Sequence, residues 1–331
     1  IASFLRSRRL TRVYGLTGGE VNDLIDAIEL AGIHFMLTHH ESSAAHMADA
    51  EAQLAGRPSV CIATVGPGAT NMVNGVANAY LDRTPLLALI GDMEARVRDS
   101  WTHMTLDLVG LFSPVSKFAK RITGKNIYSV LPEAWATAMA GPQGPVCLML
   151  AATDAGDRIQ RREWTYRATC KLSDAGNGNS VARQILHRIA RAKNPVLMLG
   201  LGARTQDIAT ASLDFANKSR IPVALTPKAK GSFPADSELY AGVYASYGSG
   251  GVEHLLSTSD LIIGVGLDGS DFIRPWRFGS VLSLSHNAKA DTAYPSEHHL
   301  CNISKTLGEL SEYSWGIRDG SIDASVARTE S

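Results

Sequence analysis

Apolar residues along the first 150 positions follow two rhythms that take turns. Short continuous runs at Val13–Leu16, Ile33–Leu37, Ser59–Thr64, Leu86–Ile90 and Val146–Leu150 have the length and composition of buried strands. Between them apolar positions recur at three- and four-residue spacing. Val21, Leu24, Ile25 and Ile28 form one such set, and Ile127, Val130, Leu131 and Ala134 mark a helix over about 125–140. Helices are also predicted over about 70–80 and about 42–55, the latter with a stripe of Ala44, Ala48, Ala52 and Ala55. Strand and helix alternating at this length predict a parallel sheet covered on both faces. An alanine stripe predicts a second backbone packed close against it.

From Ala151 to Asn179 the pattern lapses into polar sequence, with a charge run at Asp157–Glu163 and the turn-forming Gly176-Asn177-Gly178-Asn179. A second α/β pattern starts at Ser180. Val181, Ile185, Ile189 and Ala192 share a helical face, Pro195–Gly200 reads as a buried strand, and a helix is predicted over about 206–219. Strands follow at Ile221–Leu225, Leu261–Val265 and Val281–Leu284. The expected class is α/β, two doubly wound parallel-sheet domains over 1–155 and 180–312, with a linker over 156–179 and a polar tail over 313–331.

Composition narrows the function classes. Zero formal net charge, 19% charged residues and 7% aromatics leave no basic surface or stacking platform for nucleic acid. No apolar run approaches the roughly 20 residues that span a bilayer. Ile1–Thr11 is polar and basic without the apolar core of a secretory signal. Cys61 and Cys147 lie in apolar runs, and the four cysteines have no metal spacing, so they read as buried thiols in a reducing compartment. A cytoplasmic location is expected.

Chemistry concentrates at strand ends. Thr38-His39-His40-Glu41 closes one strand and opens the alanine-rich helix, which puts Glu41 at the carboxyl edge of a parallel sheet. On its own, Glu41 could equally be a carboxylate stabilising a helix N-terminus. His39, His40, Glu41 and His46 do not follow the His-Glu-x-x-His spacing of zinc enzymes, so no metal is expected there. In Ala63-Thr64-Val65-Gly66-Pro67-Gly68-Ala69-Thr70-Asn71 a strand turns through two glycines into a helix whose first N–H groups are free, a shape that lets a ligand approach backbone. The loop lacks the Gly-Lys-Ser/Thr of a nucleotide-binding P-loop, and as a lone feature it could be a structural turn.

These pieces form an ordered set. Val13-Tyr14-Gly15-Leu16-Thr17-Gly18-Gly19-Glu20 comes first, then His40-Glu41, Gly66-Pro67-Gly68-Ala69-Thr70-Asn71, Asp82-Arg83-Thr84-Pro85-Leu86-Leu87 and Gly141-Pro142-Gln143-Gly144-Pro145-Val146. Together they resemble the pyrimidine-binding domain of thiamine-diphosphate enzymes of the acetolactate synthase and pyruvate oxidase group. Ile221-Pro222-Val223, Lys230-Gly231-Ser232-Phe233-Pro234, Gly242-Val243 and Asp260–Gly266 resemble that group's central domain. The resemblance implies a flavodoxin-like first domain and a Rossmann-like second one. It implies that Glu41 hydrogen-bonds N1′ of the cofactor's aminopyrimidine, which lets the 4′-amino group act as the base that removes the thiazolium C2 proton. It places Leu16, Gly18, Thr64, Pro67 and Asn71 around the pyrimidine, and Gly19, His103 and Met104 on the substrate side.

Departures from that family's pattern sharpen the expectation. Thr17 replaces a proline, Met104 a glutamine, and Ala50 stands where glycine is frequent. The loss of an amide at Met104 implies a substrate preference different from acetolactate formation. The flavin-linked segment of acetolactate synthases is replaced by Gly266-Leu267-Asp268-Gly269-Ser270-Asp271-Phe272-Ile273-Arg274-Pro275-Trp276, which makes FAD a doubtful cofactor; Asp268-Gly269 reads as a turn. The Gly-Asp-Gly and Asn pair that hold Mg²⁺ and the diphosphate have no counterpart, since Gly91-Asp92-Met93 and Arg318-Asp319-Gly320 lack the later asparagines. The expectation is therefore a subunit of a split enzyme. A second polypeptide carries the diphosphate and Mg²⁺ site, in a hetero-oligomer with self-association, and thiamine diphosphate is shared between the chains. The substrate expected is a 2-oxo acid or related carbonyl compound, decarboxylated or ligated. Two alternatives remain: a non-catalytic regulatory or scaffold subunit, favoured by Thr17 and Met104, and a nucleotide-binding module. The latter lacks Gly-x-Gly-x-x-Gly, because Gly200-Leu201-Gly202 continues with Ala203-Arg204-Thr205.

Overall fold

A computed structural model describes residues 1–94, 96, 100, 102–153, 164, 178–245, 249–287, 291–313 and 315. The chain divides into two units, Ile1–Cys170 and Lys171–Ser331.

The first unit runs α1 (Ala2–Ser7), β1 (Arg12–Gly15), α2 (Asn22–Leu30), β2 (His34–Leu37), α3 (Glu41–Ala55), β3 (Ser59–Ala63), α4 (Pro67–Leu81), β4 (Leu86–Asp92), α5 (Leu108–Phe112), β5 (Ala119–Ile122), α6 (Ile127–Met139) and β6 (Val146–Ala151). Its six strands are parallel in the order β2-β1-β3-β4-β6-β5. Strands β3, β4 and β6 are buried along their whole length, as a parallel sheet covered on both faces requires. The two-residue period splits them between two cores. Val60, Ile62, Leu87, Leu89 and Leu148 face Phe4, Leu24, Ile28 and Leu131 of α1, α2 and α6. Cys61, Ala63, Ala88, Ile90, Cys147 and Met149 face Ala44, Ala48, Met72, Val76 and Phe112 of α3, α4 and α5.

The alanine stripe of α3 consists of Ala44, Ala45, Ala48 and Ala52, all buried, whereas Ala55 is exposed in the helix's last turn. It meets α4 at Gly75, where an added Cβ would lie 2.4 Å from Ala45 Cβ. Gly56, left-handed at φ 61°, ends α3.

The second unit runs α7 (Gly178–Arg191), β7 (Pro195–Leu199), α8 (Gln206–Ser219), β8 (Val223–Leu225), β9 (Tyr240–Val243), α9 (Gly250–Thr258), β10 (Leu261–Val265), β11 (Val281–Ser285), β12 (Ser296–Leu300) and α10 (Ile303–Ser311). Its sheet is parallel in the order β12-β11-β10-β7-β8-β9, with the first strand central. Both units are therefore doubly wound α/β folds. Ile185, Ile189, Phe215, Ala216, Ile303 and Leu307 cover one face, and α9 with a set of aromatic rings covers the other.

Most of the expected linker, 156–163 and 165–177, lies outside the described residues, as do Arg318-Asp319-Gly320 and the tail beyond Trp315. Trp164 is described, with its ring 5.0 Å from Phe4 and 4.8 Å from Tyr128. Trp315 stacks edge-on against Phe215 at 5.6 Å. Cys61, Cys147 and Cys301 are free and buried. Among the described residues no helix is long and apolar enough to cross a membrane.

Candidate functional site

In the first sheet the chain leaves β1 to build β2 on one side, then crosses back to place β3 on the other. The loops that follow β1 and β3 therefore diverge and leave a crevice at the carboxyl edge, where open α/β sheets take their ligands. Leu16–Glu20 forms one lip and Thr64–Gly66 the other. Strand β2 ends beside β1, with Leu37 paired to Gly15, and delivers Thr38–Glu41 to the same edge.

Glu41 is held there by local hydrogen bonds. The buried Thr38 donates its N–H to Gly15 O at 2.8 Å, and its hydroxyl lies 3.1 Å from both Gly15 O and His40 O. His40 stays extended at φ −158° and accepts the Ser42 N–H on its ring Nδ1 at 3.1 Å, capping α3. Glu41 is thus the first helical residue, and it is only 5% exposed. Its Oε2 accepts from Asn71 Nδ2 of α4 at 3.0 Å. Its Oε1 faces Gly68, where an added Cβ would lie 3.1 Å from that oxygen and 2.6 Å from Thr64 Cγ2. A side chain at position 68 would fill the space beside the carboxylate.

Of the remaining sequence-predicted residues, Thr64 shares the Gly68 space with this carboxylate and links it to Gly18. Gly18 is half-buried against Thr64, whose Oγ1 would lie 2.6 Å from a Cβ at position 18. Gly66, at φ 62° and ψ −116°, adopts a conformation that side chains disfavour and caps α4. The turn it makes brings Met104 alongside, 3.0 Å from where a Gly66 Cβ would sit. Met104 is itself left-handed at φ 59° and 41% exposed. Leu16 is half-buried, while Thr17, Gly19, Pro67, Asn71 and His103 are exposed, so the rim around Glu41 is open to solvent although Glu41 is covered.

Sequence reasoning gave no role to Glu20. The Thr64 hydroxyl donates to its Oε2 at 2.5 Å, so a second carboxylate shares the crevice. The available signal was its position, an acid directly after two glycines in a strand-end loop. Among the described residues neither Glu20 nor Glu41 has an ion-pair partner. Asp92, by contrast, is buried against Arg121 Nε at 2.6 Å and accepts the Met93 N–H, which commits the Gly91-Asp92-Met93 carboxylate to structure. Among the described residues no group of three His, Cys, Asp or Glu side chains could hold a metal ion.

In the second unit the switch falls between β7 and β10. The buried Asp271 takes the Leu201 N–H on both oxygens, at 3.1 and 3.0 Å, together with Thr226 Oγ1 at 2.7 Å and the Asp268 N–H at 2.9 Å. The loop amide that a nucleotide phosphate would use is therefore bonded within the fold. Asp268 caps Ser270 at a short 3₁₀ turn, Gly269–Asp271, which agrees with the turn read there. A groove of about 830 Å³ between α8 and α10 is lined by side chains such as Asp207, Lys218, Ser304 and Lys305 and holds none of the residues singled out in the sequence.

Two protein families match the chain. The family described as "Thiamine pyrophosphate enzyme, N-terminal TPP binding domain" matches residues 1–111, and "Thiamine pyrophosphate enzyme, central domain" matches residues 182–290. The acetolactate synthase large subunit of Corynebacterium glutamicum is 34% identical over 262 residues, 77% of this chain and 41% of that protein. The probable acetolactate synthase large subunit of Methanococcus aeolicus is 30% identical over 291 residues, 86% of this chain and 48% of that protein. The chain spans about half the length of the curated relatives it matches. Among solved structures, benzoylformate decarboxylase from Polynucleobacter necessarius superimposes with a TM-score of 0.82 at 23% identity, covering 97% of this chain and 62% of that one, which is a likeness of fold. A putative thiamin diphosphate-dependent enzyme from Mycobacterium smegmatis gives 0.80 at 25% identity, covering 97% of this chain and 63% of that one.

Proposed function

We propose, on the premise that the chain belongs to the thiamine pyrophosphate enzymes and carries their N-terminal TPP-binding and central domains, that Glu41 is the cofactor-activating carboxylate of an enzyme making or breaking a C–C bond next to a carbonyl. The reaction is 2-oxo acid decarboxylation, with or without acyloin-type ligation in the manner of acetolactate synthase. The diphosphate and its Mg²⁺ are held outside this chain's described residues.

The residues present fit an aminopyrimidine. A carboxylate with one oxygen clamped by Asn71 and the other beside a glycine can meet a flat ring edge-on, and the missing Cβ at Gly68 leaves room for it. Leu16, Gly18, Thr64 and Pro67 would wall the ring. When bound, thiamine diphosphate supplies a nucleophilic carbon for attack on the substrate carbonyl. Glu41 would hold the proton shared with N1′, Asn71 fixes the carboxylate's orientation, and Met104 and His103 would border the substrate side.

The observation that carries this reading is the placement of Glu41, at the end of β2 beside the switch point and hydrogen-bonded to α4. Its test is Glu41→Gln in the assembled enzyme. Turnover and deuterium exchange at thiamine C2 should fall by roughly a thousandfold while the fold is retained. Unchanged turnover would refute the role, and an assembled enzyme that works equally well with Glu41→Ala would favour a regulatory or scaffold subunit.

A further inference from the structure

Glu20 stands on the same lip of the crevice as Gly18 and Gly19, one residue past the positions assigned to cofactor and substrate. Its Cβ lies 3.3 Å from where a Gly91 Cβ would be, which places it above the end of β4, on the side of Thr64 away from Glu41. Thr64 divides the crevice between the two acids. Its methyl group and Glu41 Oε1 converge on Gly68, while its hydroxyl donates to Glu20 Oε2 at 2.5 Å. That bond fixes the Glu20 carboxylate at the half-buried rim. Oε1 has no partner among the described residues, and no described cation offsets the charge.

From this arrangement we infer that Glu20 determines specificity on the substrate side: it receives a hydrogen-bond donor on the substrate's tail and turns away a tail that carries a second negative charge. This deepens the reading of the Glu41 crevice as a cofactor and 2-oxo acid site and rests on it. A half-buried carboxylate with an unused oxygen is a strong acceptor for a hydroxyl or amide. The same charge repels a carboxylate or phosphate brought beside it. The substrates favoured are 2-oxo acids with a neutral, hydroxylated tail over dicarboxylic ones.

The test uses the holoenzyme as isolated, with a thiazolone analogue of the cofactor that cannot attack, so that equilibrium binding is read without turnover. Dissociation constants are measured by ligand-observed NMR for three five-carbon probes: 2-oxopentanoate, 5-hydroxy-2-oxopentanoate and 2-oxoglutarate. The native chain should bind 2-oxoglutarate weakest and the hydroxylated probe tightest. Glu20→Gln, whose amide oxygen can still accept from Thr64, should improve 2-oxoglutarate relative to 2-oxopentanoate by roughly tenfold, the scale of one removed like-charge contact. Glu20→Ala should also lose the preference for the hydroxylated probe. A purely structural Glu20 would move all three constants together, so unchanged ratios in both variants overturn the inference. Glu41→Gln separates the two claims. If it leaves C2 exchange intact, the site reading itself fails; if it abolishes exchange while the Glu20 variants keep native ratios, only the role of Glu20 fails.

Discussion

The two units answer the same topological problem in opposite ways. Each has a switch point where diverging loops leave a crevice at the carboxyl edge of the sheet. In the second unit the fold fills that crevice from within: Asp271 collects the Leu201 and Asp268 amides and the Thr226 hydroxyl, and Tyr294 caps the Leu267 carbonyl. In the first unit the carboxylates Glu41 and Glu20 receive one side-chain donor each, from Asn71 and Thr64, and, among the described residues, no cation. Buried acids are costly unless satisfied, so an under-satisfied pair beside an open rim agrees with the proposed ligand site, and a fully bonded acid acts as a structural staple.

The contrast is broken most directly by exchanging what each acid is asked to do. Glu41→Gln should leave the free energy of unfolding within about 0.5 kcal/mol of native, as expected where no buried network depends on the charge, while catalysis drops by roughly a thousandfold. Asp271→Ala should do the reverse in kind. It strands three donors in the second unit and should cost about 4 kcal/mol in a urea melt read by hydrogen exchange on β7 and β10 amides. If Glu41→Gln destabilises as much as Asp271→Ala, the first crevice is a staple too.

Gly75 tests how the open crevice is supported. Its contact with Ala45 leaves no room for a methyl, so Gly75→Ala forces α3 away from α4 and should cost about 3 kcal/mol. Because Glu41 begins α3 and Asn71 lies on α4, the same shift should lower turnover, by about 100-fold for a displacement near 1 Å. Stability lost with full turnover would mean that the clamp does not depend on this packing.

How much of this was legible in sequence follows from where each segment lies in its sheet. Central strands buried on both faces wrote themselves as apolar runs: Leu261–Val265 falls where it was expected, and β3, β4, β6, β7 and β11 differ only at their ends. The strands that went unread, Ala119–Ile122, Tyr240–Val243 and Ser296–Leu300, are all at sheet edges. An edge strand has one neighbour and a half-wet face, so Ala-Lys-Arg-Ile and Ser-Glu-His-His-Leu carry no apolar run to read. The helices α1, α5, α9 and α10 also went unread, and α1 and α5 offer too few turns for a period. At the site, the strand-end position of Glu41 was readable from the pattern. Its clamp by Asn71 and the second acid at Glu20 were not, since both depend on contacts between elements 30 and 44 residues apart.

The smallest of the expected effects concerns how completely the second crevice is sealed. Tyr294 is buried there, its hydroxyl donating to Leu267 O at 3.3 Å and 3.3 Å from Ser283 Oγ. Burial, with lesser help from Asp291, Asp271 and Asp268, pushes its phenol up to about 12, and the Ser283 contact opposes that rise. In the unfolded chain the phenol ionises near pH 10. The folded state therefore holds this proton more tightly. Its contribution is complete below pH 10 and is lost as the pH rises to about 12, by about 2 kcal/mol once solvent at the ring cluster's edge is allowed for. A series of urea melts between pH 9 and pH 12 should show the native chain losing that much more stability than Tyr294→Phe, which has no proton to release. Parallel losses in the two proteins would mean that water reaches Tyr294 freely, and the second crevice would then be as open as the first.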